Sequence, residues 1–236
     1  MKKTLLITIL VTLTISGFSQ NNSQQRREQR RNQKEVKKTE RGIDDPKAHD
    51  ILSAVRKQLK SYNSLKIDFT YLLENKTEKI KDSKKGTILI KGNKYNLNFM
   101  GLNVISDGKN VWNFNREAKE VQITEVNPKE TDMMNPIALI DNYEKNFRAK
   151  LIREDVDKGV PVMIIDLLPF ENRNFHKVRM VTDKAKKTIV FTEIHDKNGT
   201  IITFRVDRMQ TNVSAPDSEF RFDVSKHPGV EVIDMR

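Results

Sequence analysis

The chain of 236 residues contains no cysteine. No disulfide can staple its fold, no thiolate can bind a metal, and no lipid can be attached to a cysteine behind an export signal. Histidine is nearly as scarce. His49, His176, His195 and His227 are the four, and no two stand at metal-ligand spacing. The sequence also lacks G-x-S-x-G, H-E-x-x-H, a P-loop and G-x-G-x-x-G, so the common nucleophile, zinc, phosphate and dinucleotide signatures are missing. Carboxylates are plentiful but scattered among lysines. His195 and Asp196, beside a turn, read as surface residues, while an acid pair drawn from distant strands stays open. The expectation is a binding protein, not an enzyme, with no cofactor and no metal.

Long apolar runs are missing too. The longest, Leu5 to Ile15, is too short and too rich in threonine for a comfortable membrane span. Two lysines precede it and small residues near Ser19 follow it, which is the order of a secretory signal. Residues 1–19 are expected to be removed near Ser19–Gln20, leaving a soluble, exported protein. Residues 20–44 then read as a basic, polar, disordered linker, because Val36 is the one aliphatic residue between Asn21 and Arg41. That stretch carries eight basic and three acidic residues, a net of +5, so much of the overall +11 lies outside the fold. In the remainder, bases and acids alternate instead of clustering with aromatics, which argues against a nucleic-acid partner.

The segment 45–236 is long enough for one domain with a sizeable core. Asp45 can cap a helix with Pro46 at its first position, and Leu52, Val55 and Leu59 recur at helical spacing. From Leu65 onward the period changes to two. Phe69 and Tyr71 alternate with polar neighbours, as do Leu97 and Phe99 further on. The stretch "NPKETDMMNPIALIDNYEKNF" interrupts this pattern and reads as one or two brief helices in a long loop. Strands then resume, with a hairpin turn at Asp196–Thr200 and a Pro-Gly turn at Pro228-Gly229. About eleven short strands and one long helix predict a mainly β fold, an open antiparallel sheet whose apolar face must be covered. The first helix and the Met-rich insertion are the expected covers.

The stretch "VISDGKNVWNFN" holds the only tryptophan. Ser106-Asp107-Gly108 reads as a turn, and Trp112 and Phe114 then share one face of a strand. They either fill an ordinary core or, with Leu97 and Phe99 taken as same-face neighbours, line a cavity. Met133 and Met134, beside Ile137, Leu139 and Ile140, would suit an adaptable cover over such a cavity.

The order "SLKIDFTY", "KGTILIKGNKYNLNF", "VISDGKNVWNFNREAKEVQI", "NPIALI" and "FRFDVSKHPGVEVID" resembles the periplasmic outer-membrane lipoprotein carrier family, LolA-like proteins. The likeness runs from about Pro46 to Asp234, and Ser106-Asp107-Gly108 with Trp112, and Phe222 with Pro228-Gly229-Val230, are its most specific parts. It implies an incomplete antiparallel barrel of about eleven strands under helices that act as a lid. It implies a monomeric periplasmic chaperone that takes acylated lipoproteins from an inner-membrane releasing ABC complex to the outer membrane, with or without a separate acceptor there. The cavity and lid would be built from Leu52, Val55, Leu59, Phe69, Tyr71, Leu97, Phe99, Trp112, Phe114, Met133, Met134, Ile137, Leu139 and Ile140. Many relatives have an arginine-proline pair where this chain has Lys91-Gly92, and that arginine helps to hold the lid. Lysine lacks the planar fork, so any such lock lies elsewhere. Two rival readings remain: a lipid-sensing or regulatory protein on the same sheet, expected to carry a second domain for which this chain has no room, and an envelope hydrolase.

Overall fold

Asp45 opens the folded chain as a helix cap in the computed structural model, which describes residues 45–127 and 136–236. Its Oδ1 accepts from the amides of Lys47 at 3.0 Å and Ala48 at 3.4 Å. Helix α1 runs Pro46–Lys60 and buries Ala48, Leu52, Val55 and Leu59, one apolar stripe of a 3.6-residue period. The second helix, α2, spans Pro136–Asn146, a single element of 11 residues where the sequence predicts one or two brief helices.

Twelve strands follow the period-two pattern among the described residues: β1 (Leu65–Asn75), β2 (Ile80–Lys91), β3 (Lys94–Phe99), β4 (Leu102–Ser106), β5 (Asn110–Asn115), β6 (Glu120–Glu125), β7 (Phe147–Asp157), β8 (Val160–Pro169), β9 (Phe175–Asp183), β10 (Ile189–Asp196), β11 (Thr200–Thr211) and β12 (Glu231–Asp234). They form one sheet in the order β12-β6-β5-β4-β3-β2-β1-β11-β10-β9-β8-β7. The sheet is open, with β12 and β7 as its edges. All neighbours are antiparallel except β12, which lies parallel to β6 and makes the count twelve rather than eleven.

Turn chemistry fixes this meander as the sequence predicts. Asp107 Oδ1 accepts from the amides of Lys109 at 2.9 Å and Asn110 at 2.8 Å, and Gly108 takes φ +89° in the same loop. Gly199 supplies φ +86° between β10 and β11.

Pairing register sorts the side chains onto two faces, because directly opposed residues point the same way. Across β1, β2, β3 and β4 the row Ile67–Ile88–Leu97–Val104 lies on one face. That face carries the main core, into which α1 and α2 send Leu52, Val55, Leu59, Leu139, Ile140 and Tyr143. The row continues from Val104 to Asn113 of β5. Trp112 and Phe114 therefore point to the opposite face, which corrects the expectation that they share one with Leu97 and Phe99.

The opposite face has its own cover, distinct from the first helix and the Met-rich insertion. Residues 212–236 leave β11 and cross β2 to β6. Lys91 Nζ donates to Ala215 O at 3.0 Å, and Asn96 Nδ2 donates to Glu219 O at 2.7 Å. Phe220 is fully buried, and Phe222 packs with Ile105, Phe114 and Val121, against which Trp112 and Val230 lean. The segment ends as β12 against β6.

Candidate functional site

The helix-covered face grades from closed to open along the strands. At its closed part, Leu52 and Val55 are inaccessible, and Leu59, Leu139 and Ile140 are equally well buried. Leu97 and Phe69 are 4% and 6% exposed. Further along β1 the rings become partly exposed. Tyr71 lies beside Phe99 with centroids 5.2 Å apart and beside Phe204 at 5.4 Å, while Phe69 reaches the same two at 5.7 and 6.0 Å. Four rings thus form one tilted aromatic ledge, each pair contributing about 0.5–1.5 kcal/mol beyond its buried area. Ile194 and Phe204 pack against the core from β10 and β11, and β10–β11 pairing puts Ile202 opposite Ile194 on the same face.

A glycine makes room for this ledge. Gly86 of β2 is opposed to Phe69, and a Cβ there would lie 2.3 Å from Phe69 Cζ. The ring lies over the bare backbone, where any side chain would push it aside. Burial and the nearby Asp82 carboxylate both push the Tyr71 hydroxyl above its ordinary pKa, so it stays neutral at physiological pH. The ledge presents no net charge of its own among these rings.

The two helices are fastened to each other by polar contacts. Arg56 of α1 donates through Nε at 3.1 Å and Nη2 at 2.9 Å to the carbonyl of Ile140 in α2. The same guanidinium lies 3.3 Å from Glu144 and 3.7 Å from Asp141, and Lys60 pairs with Asp141 at 3.0 Å. His49 Nδ1 and the Tyr143 hydroxyl share a hydrogen bond of 2.7 Å. Helix α1 is also tied to the sheet edge. Asp45 Oδ2 accepts the Leu151 amide of β7 at 3.0 Å. Burial pushes the Asp45 carboxyl up, but the backbone donors of Leu151, Ala48 and Lys47 outweigh it and leave the pKa below its ordinary value.

Lys91, at the position where many relatives are expected to hold an arginine, does not touch either helix in any described contact. Its ammonium pairs with Asp217 at 3.1 Å, joined there by Lys94 at 3.1 Å. It fastens the C-terminal segment to the opposite face, and the helix-to-helix fork is supplied by Arg56.

Of the residues singled out in the sequence, Leu52, Val55, Leu59, Phe69, Leu97, Leu139 and Ile140 are gathered into one buried cluster, with Tyr71 and Phe99 at its margin. Trp112 and Phe114 belong to the separate cluster under the C-terminal segment, where Phe114 lies tilted against Phe222 at 4.9 Å and His227 at 4.6 Å. Met133, Met134 and the Ile137 side chain lie outside the described residues. Phe204 and Ile202 were missed. Their alternation in "TIITFRV" was legible, but only the pairing of β11 with β1 shows that they meet Tyr71 and Leu73. Among the described residues, no group of three or more His, Asp or Glu side chains is placed to hold a metal ion. None of the helices there is long and apolar enough to cross a membrane.

A family model described as outer membrane lipoprotein carrier protein LolA matches residues 60–223. Among solved structures, an uncharacterised conserved protein from Thermus thermophilus is similar at 13% identity and TM-score 0.53, over 80% of this chain and 99% of that one. A LolA superfamily protein from Nitrosomonas europaea matches at 13% identity and TM-score 0.43, over 75% of this chain and 98% of its own. The lipoprotein LppX of Mycobacterium tuberculosis matches at 10% identity and TM-score 0.39, over 71% and 97%. At 13% identity the likeness to the Thermus thermophilus protein concerns the fold alone. No curated protein sequence matches.

Proposed function

Because the chain belongs to the outer membrane lipoprotein carrier protein (LolA) family, we propose that it carries acylated lipoproteins across the periplasm, holding their acyl chains against the helix-covered face of its sheet. The supporting observation is the ledge of Phe69, Tyr71, Phe99 and Phe204, which runs without a break from the buried core under α1 and α2 to partly exposed rings. Each CH₂ of an acyl chain gains about 0.8 kcal/mol on leaving water, so a lipoprotein crosses an aqueous compartment only with its chains covered. Leu52, Val55 and Leu59 on α1, with Ile137, Leu139 and Ile140 on α2, are the proposed cover, and Met133 and Met134 lie next to it in sequence. Trp112 and Phe114 are left out of this site because they face the other way.

In this reading, residues 1–19 direct export and are removed, residues 20–44 form a linker, and 45–236 is the carrier. It loads from an inner-membrane ABC complex and delivers to the outer membrane. Intact mass of the exported protein tests the first step, and retention of Met1 contradicts it. Calorimetry with an acylated peptide and its unacylated twin tests the site. Binding of the acylated form alone is expected, weakened about tenfold by Phe99→Asp, which sets a charge against the chain. Equal binding of both peptides contradicts the reading. Acyl binding without transfer to outer-membrane vesicles assigns the protein to lipid sensing or regulation instead.

A further inference from the structure

The β3–β4 turn breaks the turn chemistry followed elsewhere in the sheet. Phe99 pairs with Leu102, so Met100 and Gly101 form a two-residue hairpin loop, with φ of +51° and +77°. Two positive φ angles are the mark of a turn that favours Asn-Gly or Asp-Gly. The β7–β8 loop has the same design, with Lys158 and Gly159 at φ +48° and +84°. Among the described residues, the non-glycine positions with positive φ are Lys79, Lys119, Lys158, Lys187, Asn212 and Met100. Five of the six are polar. Met100 puts an unbranched apolar side chain into strained backbone at 58% exposure, with Leu102 beside it at 43%. Neither feature helps the fold.

The surroundings say what such a tip meets. The antiparallel order puts the β1–β2 and β3–β4 turns at the same end of the sheet. Strand β2 pairs with β3 only as far as Gly86–Phe99, so Lys85 is the first β2 residue beyond the Met100 turn. Between Lys76 and Lys85 there are five lysines and two acids, a net of +3. Lys81 and Lys84 pair with Glu74 and Asp82, while Lys76, Lys79 and Lys85 form no ion pair among the described residues. Ile80, 45% exposed, lies in the same hairpin.

We propose that this end of the sheet docks on an anionic bilayer, with Met100, Leu102 and Ile80 entering the headgroup boundary and the Lys76–Lys85 hairpin lying on the phosphates. An apolar tip beside a lysine-rich hairpin fits that interface, where the charged ends stay in water while the apolar side chains leave it. The docking needs no acyl cargo, so it stands apart from the carrier reading.

The test is co-sedimentation of the full chain with phosphatidylcholine vesicles, with and without phosphatidylglycerol, and no acyl ligand. Met100→Asn suits the left-handed turn, so its melting temperature should equal or exceed that of the wild type. Its affinity for the anionic vesicles should fall about tenfold, the weight of one apolar side chain kept in water. Acylated-peptide affinity should be unchanged in the variant. Vesicle binding equal in wild type and Met100→Asn overturns the proposal and moves any binding to the basic stretch 21–41. Loss of acylated-peptide binding in the variant overturns it by placing Met100 in the cargo site. Binding to polyglutamate but not to vesicles, with the same dependence on Met100, overturns it in favour of an acidic protein.

Discussion

The two faces of this sheet are built from similar strands and covered by different means. On one, α1 and α2 lie over a broad aliphatic cluster, fastened mainly by Arg56, Lys60 and the His49–Tyr143 pair, and the aromatic ledge emerges beside it. On the other, a segment without α-helices is stitched down by Lys91, Asn96 and the β12 ladder, and its Phe222 ring stacks on His227. The helix cover is held by apolar packing and side-chain contacts, none of them a strand ladder, so it can part from its sheet without breaking one. A cover that ends as a paired strand cannot be lifted without breaking a ladder. In the proposed function, cargo goes to the helix side, while the strap side serves only to hold the fold.

The largest effect expected from this contrast is on stability. Phe114→Ala removes a ring packed among Ile105, Val121 and Phe222 and should cost about 3 kcal/mol or more in denaturant unfolding, with acyl affinity unchanged. A loss of acyl affinity without that loss of stability would merge the two faces. Gly86→Ala comes next. Its Cβ meets the Phe69 ring, so about 2 kcal/mol should be lost and acyl binding should weaken as well, because the ledge is displaced.

How far the sequence foretells this is clearest at particular residues. Asp45-Pro46 and the Leu52, Val55, Leu59 spacing mark α1 to the residue, because caps and helical period are local. Asp107-Gly108 and Asn198-Gly199 mark turns for the same reason. The face of Trp112 was not legible, because it depends on which residues close across the β4–β5 loop. Ser106 opposes Val111, and that pairing puts Leu97 and Trp112 on opposite sides. One signal was present. Val104 and Ile105 are adjacent apolar residues in β4, so both faces of that strand had to be covered, and Phe220, Phe222 and Val230 were available to do it. The ledge was half legible: Tyr71 and Phe99 alternate visibly, whereas Phe204 joins them through β1–β11 pairing over a long sequence separation.

Smaller effects sharpen the helix side. Arg56→Ala removes two charge-assisted bonds to the Ile140 carbonyl and should cost about 1–2 kcal/mol, with amide exchange rising in α2 and not in β12. Uniform acceleration in both would contradict separate covers. The weakest expected effect is in acid. The Asp45 carboxyl is held below its ordinary value of 3.8, so its tie between α1 and β7 is fully present above that pH and is lost as pH falls through the lower, folded value. Asp45→Asn should flatten that part of the acid limb of the melting profile, and an unchanged limb would show that the tie contributes nothing.

The central claim, that cargo lies on the helix side alone, is tested most directly with fluorescence from two positions. The native chain reports from Trp112, and a Trp112→Phe, Phe99→Trp variant reports from the ledge. Titration with an acylated peptide should shift the emission of the Phe99→Trp protein and leave Trp112 of the native chain unchanged, with the unacylated peptide silent in both. An acyl-dependent shift at Trp112 with none at position 99 would contradict the account and return the cargo to the face beneath the C-terminal segment.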